Sequence, residues 1–174
     1  AVVASDIVHP SAAALAAGLF VTLDCSDAAA LRAAVDRFDI RTIYHLAAIL
    51  SATAEKDPHR AYRVNMDTLI NALEVARDRR CALFTPSSIG AFGPTTPRDP
   101  APQDTVQRPS TMYGITKVAG ELLCDYYHAR FAVDTRGVRF PGLISYVSPP
   151  GGGTTDYAVE IFYHALRYRR YTCF

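Results

Sequence analysis

An α/β fold built on a doubly wound parallel sheet is what this sequence predicts, on three observations. Short apolar runs alternate with longer stretches of helical periodicity along the chain, the pattern of βαβ units with helices on both faces of the sheet. A proline-rich polar segment sits between an apolar run and a helix, where open parallel sheets place their ligands. With 174 residues, 49% of them hydrophobic and 20% charged, the chain has apolar material for one substantial core, and no repeat or linker divides it.

The elements follow in order. "AVVASD" reads as the end of a strand and "FVTLD" (Phe20 to Asp24) as a second strand. "SDAAALRAAVDRF" (Ser26 to Phe38) is a helix with Ser26 as its N-cap. "RTIYHLAAIL" is a buried strand running into a loop. "PHRAYRVNMDTLINALEVARD" carries Ala61, Val64, Leu69, Ala72, Leu73 and Ala76 at helical spacing and predicts a long amphipathic helix. "CALFTPSS" is a strand, Met112 to about Phe131 a helix, "VDTRGVRFPGLI" a strand, and "TTDYAVEIFYHALRYRR" a closing helix. Between them, Gly93 to Ser110 holds five of the eleven prolines, and an irregular segment of that length inside an α/β domain is usually functional.

Charge and cysteine usage exclude several classes. A net charge of +1, with signs interspersed, gives no reason to expect nucleic acid or an anionic membrane as partner. No run of about 20 apolar residues is present to span a bilayer. Cys25, Cys81, Cys124 and Cys173 are scattered with no C-x-x-C pair, the usage of a reducing, cytoplasmic compartment, each thiol acting as a small buried hydrophobe. The five histidines show no metal-ligand spacing, so no metal site is expected.

A sheet that binds a dinucleotide opens with strand, Gly-rich turn and helix, then carries an acidic residue about 20 residues later at the end of its second strand. Asp6 fits that acidic position, but no Gly-rich turn precedes it, and Gly151 to Gly153 follow a late strand instead. Asp24, with Cys25, ends the next strand and suits contacts to an adenine edge. The expectation is a Rossmann-like sheet whose first strand and Gly-rich turn are missing.

"STMYGITKVAGELL" (Ser110 to Leu123) places Tyr113 and Lys117 at i and i+4 on one helical face. A phenol with a pKa near 10 is a poor base, and an adjacent ammonium favours the phenolate. Such a pair can take a proton from an alcohol while hydride leaves the carbinol carbon for a redox cofactor. The motif is short and recurs by chance. "TPSSIGAFG" adds Ser87 and Ser88 at a strand end, where a hydroxyl can bond a substrate oxygen, and "HLAAILSA" supplies small residues that let a cofactor lie against the backbone. Strand-end serine, loop and Tyr-x-x-x-Lys in that order point to a redox site.

Asp6, "HLAA", "VNMDTLINALE", "PSSIGAFG", "YGITK" and "RFPGLIS" together resemble the extended short-chain dehydrogenase/reductase superfamily. Within it, "ILSA", "SSIGAFGPTTPRDP", "QRPSTMYGITKVAGEL" and "PGGGTTDYAVEIF" resemble the branch that oxidises L-threonine, and the likeness covers essentially the whole chain. The resemblance implies NAD as cofactor and a zinc-independent oxidation of the β-hydroxyl of L-threonine to 2-amino-3-oxobutyrate. It implies Tyr113 as base, Lys117 as its electrostatic partner and ribose contact, and Ser88 as the group that orients the hydroxyl. It further implies Asp6 with Ile7, and Asp24 with Cys25, at the adenosine; Leu46, Ala47, Ala48, Asn65 and Leu143 along the cofactor; and Ser51, Thr154 and Thr155 at the amino acid. The "GGGTT" turn reads as a carboxylate site, with Thr154 opening a helix. A homodimer packed through the Pro58–Arg79 helix and the Tyr113 helix is implied as well. Measured against the superfamily, the chain reads as one partial NAD-binding domain cut at both ends, with the substrate-binding portion beginning at about residue 145. A nucleotide-sugar epimerase or dehydratase, and a catalytically silent NAD-binding fragment, stand as the alternatives.

Overall fold

A computed structural model of the chain describes residues 2–145, 151, 153 and 155–172. Two parallel sheets carry the fold. In the first, β1 (Val3–Asp6) pairs with β2 (Leu19–Thr22), Asp6 facing Thr22. In the second, β4 (Ala82–Ser88) lies between β3 (Thr42–Tyr44) and β5 (Thr135–Phe140), Tyr44 facing Phe84 and Ser88 facing Phe140. The predicted α/β class with parallel strands is what the chain adopts. It forms two sheets where one continuous sheet was expected, β1 and β3 each keeping one edge outside the ladders described.

Helices α2 (Ala28–Arg37), α4 (Pro58–Arg79) and α5 (Met112–Phe131) pack side by side, α4 touching both of the others. Their inward faces form the core. Leu31 and Val35 of α2 meet Leu69, Ala72, Leu73, Val75 and Ala76 of α4, and Cys124 and Tyr127 of α5 close the far side. Leu73 is 0% exposed. The predicted positions Ala61, Leu69, Ala72, Leu73 and Ala76 are all buried, while Val64 is half-buried; Met66, Thr68 and Val75 complete the stripe. Between α2 and α4 the contact is reinforced by ion pairs, Arg79 to Asp36 at 2.6 Å and Arg32 to Asp78 at 2.8 Å. Asn71 of α4 also donates to the carbonyls of Cys25 and Ser26.

Helix ends follow their caps. Asp57 accepts from Arg60 N ahead of Pro58 at the first position of α4, and Thr111 accepts from Gly114 N to open α5. Both helices end in non-glycine left-handed residues, Arg80 and Ala132. Their last turns carry Arg77, Arg79 and Arg130, cations that suit the negative end of a helix dipole.

Several boundaries differ from the reading above. The cap of α2 is Asp27 rather than Ser26: its Oδ1 accepts from Ala29 N and Ala30 N, both at 2.9 Å, while Ser26 N is itself held by Asp24 Oδ1. β2 closes at Thr22 because Asp24 turns the chain into that cap. β3 has three residues and is not buried, Tyr44 being 68% exposed, since the chain leaves the ladder once His45 N has bonded Phe84 O. Two short helices, α1 (Ala12–Ala17) and α3 (Ser51–Ala54), and a 3₁₀ turn at Ile89–Ala91 were not anticipated. The last helix, α6 (Tyr157–Tyr168), begins three residues beyond Thr154 and has no buried residue. Cys81 and Cys124 are buried, Cys25 is half-buried, and Cys173 lies outside the described residues.

The assignment of Asp27 is open to direct test. Asp27→Ala should cost ~1 kcal/mol in urea unfolding, and Ser26→Ala a few tenths at most. Equal losses would return the cap to Ser26.

Candidate active site

Chain direction brings the predicted residues to the carboxyl ends of the strands. β4 delivers Ser88 at its last position, the 3₁₀ turn follows, and the chain returns to start α5 at Met112, one residue before Tyr113. The return is tight. A Cβ on Gly114 would lie 2.2 Å from the Gly90 carbonyl oxygen, so only glycine lets the first turn of α5 approach that closely. The segment between is closed at its neck. Gly93 packs so near Arg108 that a Cβ would meet the Arg108 carbonyl oxygen at 2.0 Å. Buried Thr96 accepts from Gly93 N and donates to Val106 O at 2.8 Å.

Ser88, Tyr113 and Lys117 come together. The Ser88 hydroxyl accepts from Gly90 N at 3.0 Å, capping the turn, and Ser88 Oγ and the Tyr113 ring both lie 3.4 Å from where a Cβ on Gly90 would stand. Lys117 Nζ lies 5.3 Å from the centre of the Tyr113 ring and donates to the Pro86 carbonyl at 2.6 Å. Burial pushes the phenol above its ordinary pKa, the Ser88 hydroxyl opposing it in part; burial pulls the Lys117 ammonium down, with the Glu121 carboxylate opposing. The expected lowering of the phenol by the adjacent ammonium is outweighed by burial. The ammonium is turned toward Pro86 O, and desolvation dominates both groups.

The end of β3 makes a ledge beside them. Leu46 and Ala47 are exposed and Ala48 half-buried, with His45 buried behind. Asn65 does not present its amide to open space. Its Oδ1 accepts from Ile49 N at 2.7 Å, and its Nδ2 donates to Ile49 O and Thr116 Oγ1, both at 3.2 Å, so it fastens the ledge to α4 and α5. A cavity of about 550 Å³ runs from this ledge past Lys117 to Glu121 and Arg139. Tyr113 and Ser88 are not among its walls and stand beside that space.

Asp6, Ile7, Asp24 and Cys25 gather at the ends of β1 and β2, on the other sheet. Asp6 accepts from Val8 N at 3.0 Å and Asp24 from Ser26 N at 2.8 Å; both carboxylates are exposed, as is Ile7. Burial first, then the charges of Asp24 and Asp6, push the Cys25 thiol up, the electrostatic mark of that clustering. Thr155 packs its side chain toward Gly142, next to exposed Leu143 at the exit of β5. Ser51 begins α3, which packs on α4 and α5. Thr154 lies outside the described residues. The Gly153 amide, offered by the sequence to a substrate carboxylate, is already taken by Asp156 Oδ2 at 2.8 Å.

Two groups escaped the sequence reading. Glu121 stands one helical turn beyond Lys117 and binds Ser87, Gln107 and Arg139; a carboxylate on the strand-facing side of α5 was the available signal. His45 is 6% exposed, and its Nε2 lies 3.3 Å from Thr68 Oγ1. That hydroxyl gives its proton to Val64 O, so Nε2–H must be the donor.

The residues present fit a dinucleotide: acceptors at the ends of β1 and β2, a small-residue ledge on β3, and an ammonium beside a phenol on α5. The comparisons agree. The sequence pattern of the NAD dependent epimerase/dehydratase family matches residues 2–161, and the chain belongs to that family. Its family cofactor is NAD. Among individual proteins, the chain is 56% identical over 174 residues to an uncharacterized epimerase/dehydratase of Staphylococcus saprophyticus, covering 99% of this chain and 54% of that one. It thus spans about half the length of the curated relatives it matches. The structure resembles L-threonine dehydrogenase from Clostridium difficile, with TM-score 0.92, 56% identity and 98% and 54% of the two chains covered. The holo form of a GalE-like L-threonine dehydrogenase from Cupriavidus necator gives TM-score 0.91 at 49% identity, covering 99% and 56%. UDP-glucose 4-epimerase from Brucella ovis, in complex with NAD, gives 0.72 at 25%, covering 79% and 43%.

Buried His45 sets an acid limit on this arrangement. Burial first, and the Lys117 charge second, hold its pKa at about 4, against 6.5 for an ordinary histidine. Above pH 6.5 neither folded nor unfolded chain carries the proton; below it the unfolded chain takes one that the folded chain refuses, so stability falls until about pH 4. Between pH 7 and pH 5 the loss should be about 2 kcal/mol from this residue. Urea unfolding of His45→Gln at the two pH values should lack that portion of the slope; an unchanged slope would assign it elsewhere.

Proposed function

We propose that the intact protein oxidises the β-hydroxyl of L-threonine to 2-amino-3-oxobutyrate with NAD. The observation that carries this reading is the convergence of Ser88, Tyr113 and Lys117 at one strand end, in a chain 56% identical to an L-threonine dehydrogenase of known structure. The resemblance to a UDP-glucose 4-epimerase is weaker in both identity and coverage.

Oxidised NAD, when bound, supplies the hydride acceptor and a positive charge on its ring. The protein's own residues handle the proton. Ser88 donates to the substrate oxygen and fixes its lone pairs relative to Tyr113. Tyr113 Oη, as phenolate, takes the hydroxyl proton while the C–H bond at the same carbon breaks, and the two bonding pairs become a C=O and a transferred hydride. Lys117 holds the phenolate by its charge and reaches the nicotinamide ribose when it turns from Pro86 O. Burial raises the phenol's pKa here, so a cation beside it is needed before it serves as base near neutral pH. Asp6 and Ile7, and Asp24 and Cys25, hold the adenosine; Leu46, Ala47, Ala48 and Leu143 line the cofactor, with Asn65 supporting the ledge from behind. Ser51, Thr154 and Thr155 face the amino acid. In this reading the residues to about 145 form the cofactor domain and the later ones begin the substrate-binding portion. The chemistry uses no zinc. Exposed Tyr62 and Ile70 on α4, with Ile115, Leu122 and Tyr126 on α5, support a homodimer through this helix pair.

Tyr113→Phe keeps the ring and removes the proton acceptor, so kcat should fall by at least ~100-fold with little change in NAD affinity. Lys117→Met should lose both rate and affinity, and its remaining activity should move to higher pH. Near-normal turnover of L-threonine by Tyr113→Phe would sink the mechanism.

Cofactor choice tests Asp6 separately. A carboxylate there accepts from a ribose 2′-hydroxyl and repels a 2′-phosphate, so NAD should be preferred over NADP, and Asp6→Ala should narrow that preference. Equal kcat/KM for the two cofactors in the unaltered protein would remove Asp6 from the site.

A further inference from the structure

Glu121 is the meeting point of three segments. Its carboxylate accepts from Ser87 Oγ at the end of β4, from Arg139 Nε and Nη2 of β5 at 3.0 and 2.7 Å, and from Gln107 Nε2 at 3.0 Å. Arg139 turns its remaining arm, Nη1, to the Gln103 carbonyl at 2.9 Å. Both Gln103 and Gln107 belong to the irregular segment that leads into α5. Only 18% of the Arg139 side chain and 21% of the Glu121 side chain are exposed, a degree of burial that a fork-to-carboxylate geometry with extra donors can offset.

The pair sits on the same helical face as the reacting groups. Tyr113, Lys117 and Glu121 are spaced at i, i+4 and i+8. Three consecutive residues of β4 meet that face: the Pro86 carbonyl takes Lys117, the Ser87 hydroxyl gives to Glu121, and Ser88 Oγ stands with the Tyr113 ring around Gly90.

We propose that Glu121 is a positioning residue for the reaction: with Arg139 and Ser87 it fixes the end of β4 and the segment before α5, and its negative charge sustains the Lys117 ammonium. The proposal rests on the reading of Tyr113 and Lys117 given above.

The charges around Lys117 bear it out one by one. Tyr113 and Glu121 flank it on α5, with Asp125 a turn further. His45, just past β3, is neutral above about pH 4 and carries no charge in the working range. From β5 come Arg139 and Arg136, and from the irregular segment Asp104, which acts on Arg139. The neighbour on α4 is the uncharged amide of Asn65. Burial lowers Lys117, and Glu121 is the group that pushes it back up. Glu121 stays ionised to do so: burial pushes its carboxyl up, but the bonds from Arg139, Ser87 and Gln107 together hold it below the ordinary value.

The test is the pH profile of kcat for L-threonine oxidation by the intact protein and its variants, with melting temperatures alongside. Glu121→Gln keeps an acceptor for Ser87 and loses the charge. Its kcat should fall ~10- to 100-fold from misplacement of the strand end, and the alkaline limb, where Lys117 loses its proton, should move to lower pH. Glu121→Asp, which keeps the charge, should return the limb to its place. Should Glu121→Gln not accumulate as folded protein, the double variant Glu121→Gln/Arg139→Gln, which leaves no buried ion of the pair unpartnered, should still move the limb to lower pH, because Glu121 is the charge that acts on Lys117. Lowered melting temperatures with limbs superimposed on the parent's would make Glu121 structural only and overturn the proposal. Tyr113→Phe, measured in parallel, separates the failures. If it stays active, the site reading itself falls; if it is inactive while the limbs do not move, only the role of Glu121 falls.

Discussion

The buried stripe of α4 is the contact on which the rest of the structure depends. Among the described residues the β1–β2 pair and the β3–β4–β5 group share no ladder, so backbone hydrogen bonds do not hold the two sheets in register. The helix layer does. α2 rides on α4 through Leu31 and Val35, and α5 docks on its other side through Cys124 and Tyr127. Dispersion and apolar burial at Leu73 and its neighbours thus decide how far the exposed carboxylates of Asp6 and Asp24 stand from Tyr113, although no residue of that stripe needs to touch a ligand. The ion pairs between α2 and α4 are half-exposed and add modestly to this; their value is in fixing the sliding of one helix along the other.

A second dependence runs through α5, where one face is asked to do two things. Its apolar positions pack on α4, while Tyr113, Lys117 and Glu121 are directed at the end of β4. Such placement desolvates every one of the three, which explains why phenol and ammonium are both pulled toward their neutral forms. The cost to the ammonium is offset by the Pro86 carbonyl and by the Glu121 carboxylate.

Long, strongly patterned elements were legible in the sequence. α5 runs over the predicted Met112–Phe131, a long stretch bounded by the proline-rich segment before it and a strand after it. α4 was equally plain from Pro58 and its apolar stripe. The pairing of Ser88 with Tyr113 was legible because both lie at ends of elements that the βα order brings together. What was not legible has physical reasons. Ser26 and Asp27 are both good caps, and the choice between them depends on Asp24 occupying Ser26 N, a tertiary detail of one turn. α1 and α3 are too short for a periodic signal. The Glu121 cluster joins residues 14 to 34 positions apart, and long-range polar bonds leave no local pattern. The "HLAA" run looked like a core strand because its composition is apolar, yet Leu46 and Ala47 are exposed on a ledge once the chain has left the ladder.

The neck of the irregular segment before α5 has an independent meaning for handling the protein. Gly93 against Arg108 and Thr96 against Val106 close the chain on itself before it reaches its tip, and Gln103 is tied separately to Arg139. What lies beyond the neck, Arg98 to Ala101, is exposed and mechanically insulated from Tyr113. A fluorophore, spin label or affinity peptide introduced there would ride on a closed loop whose base is pinned, reporting on the cleft from a fixed station while leaving the first turn of α5 undisturbed.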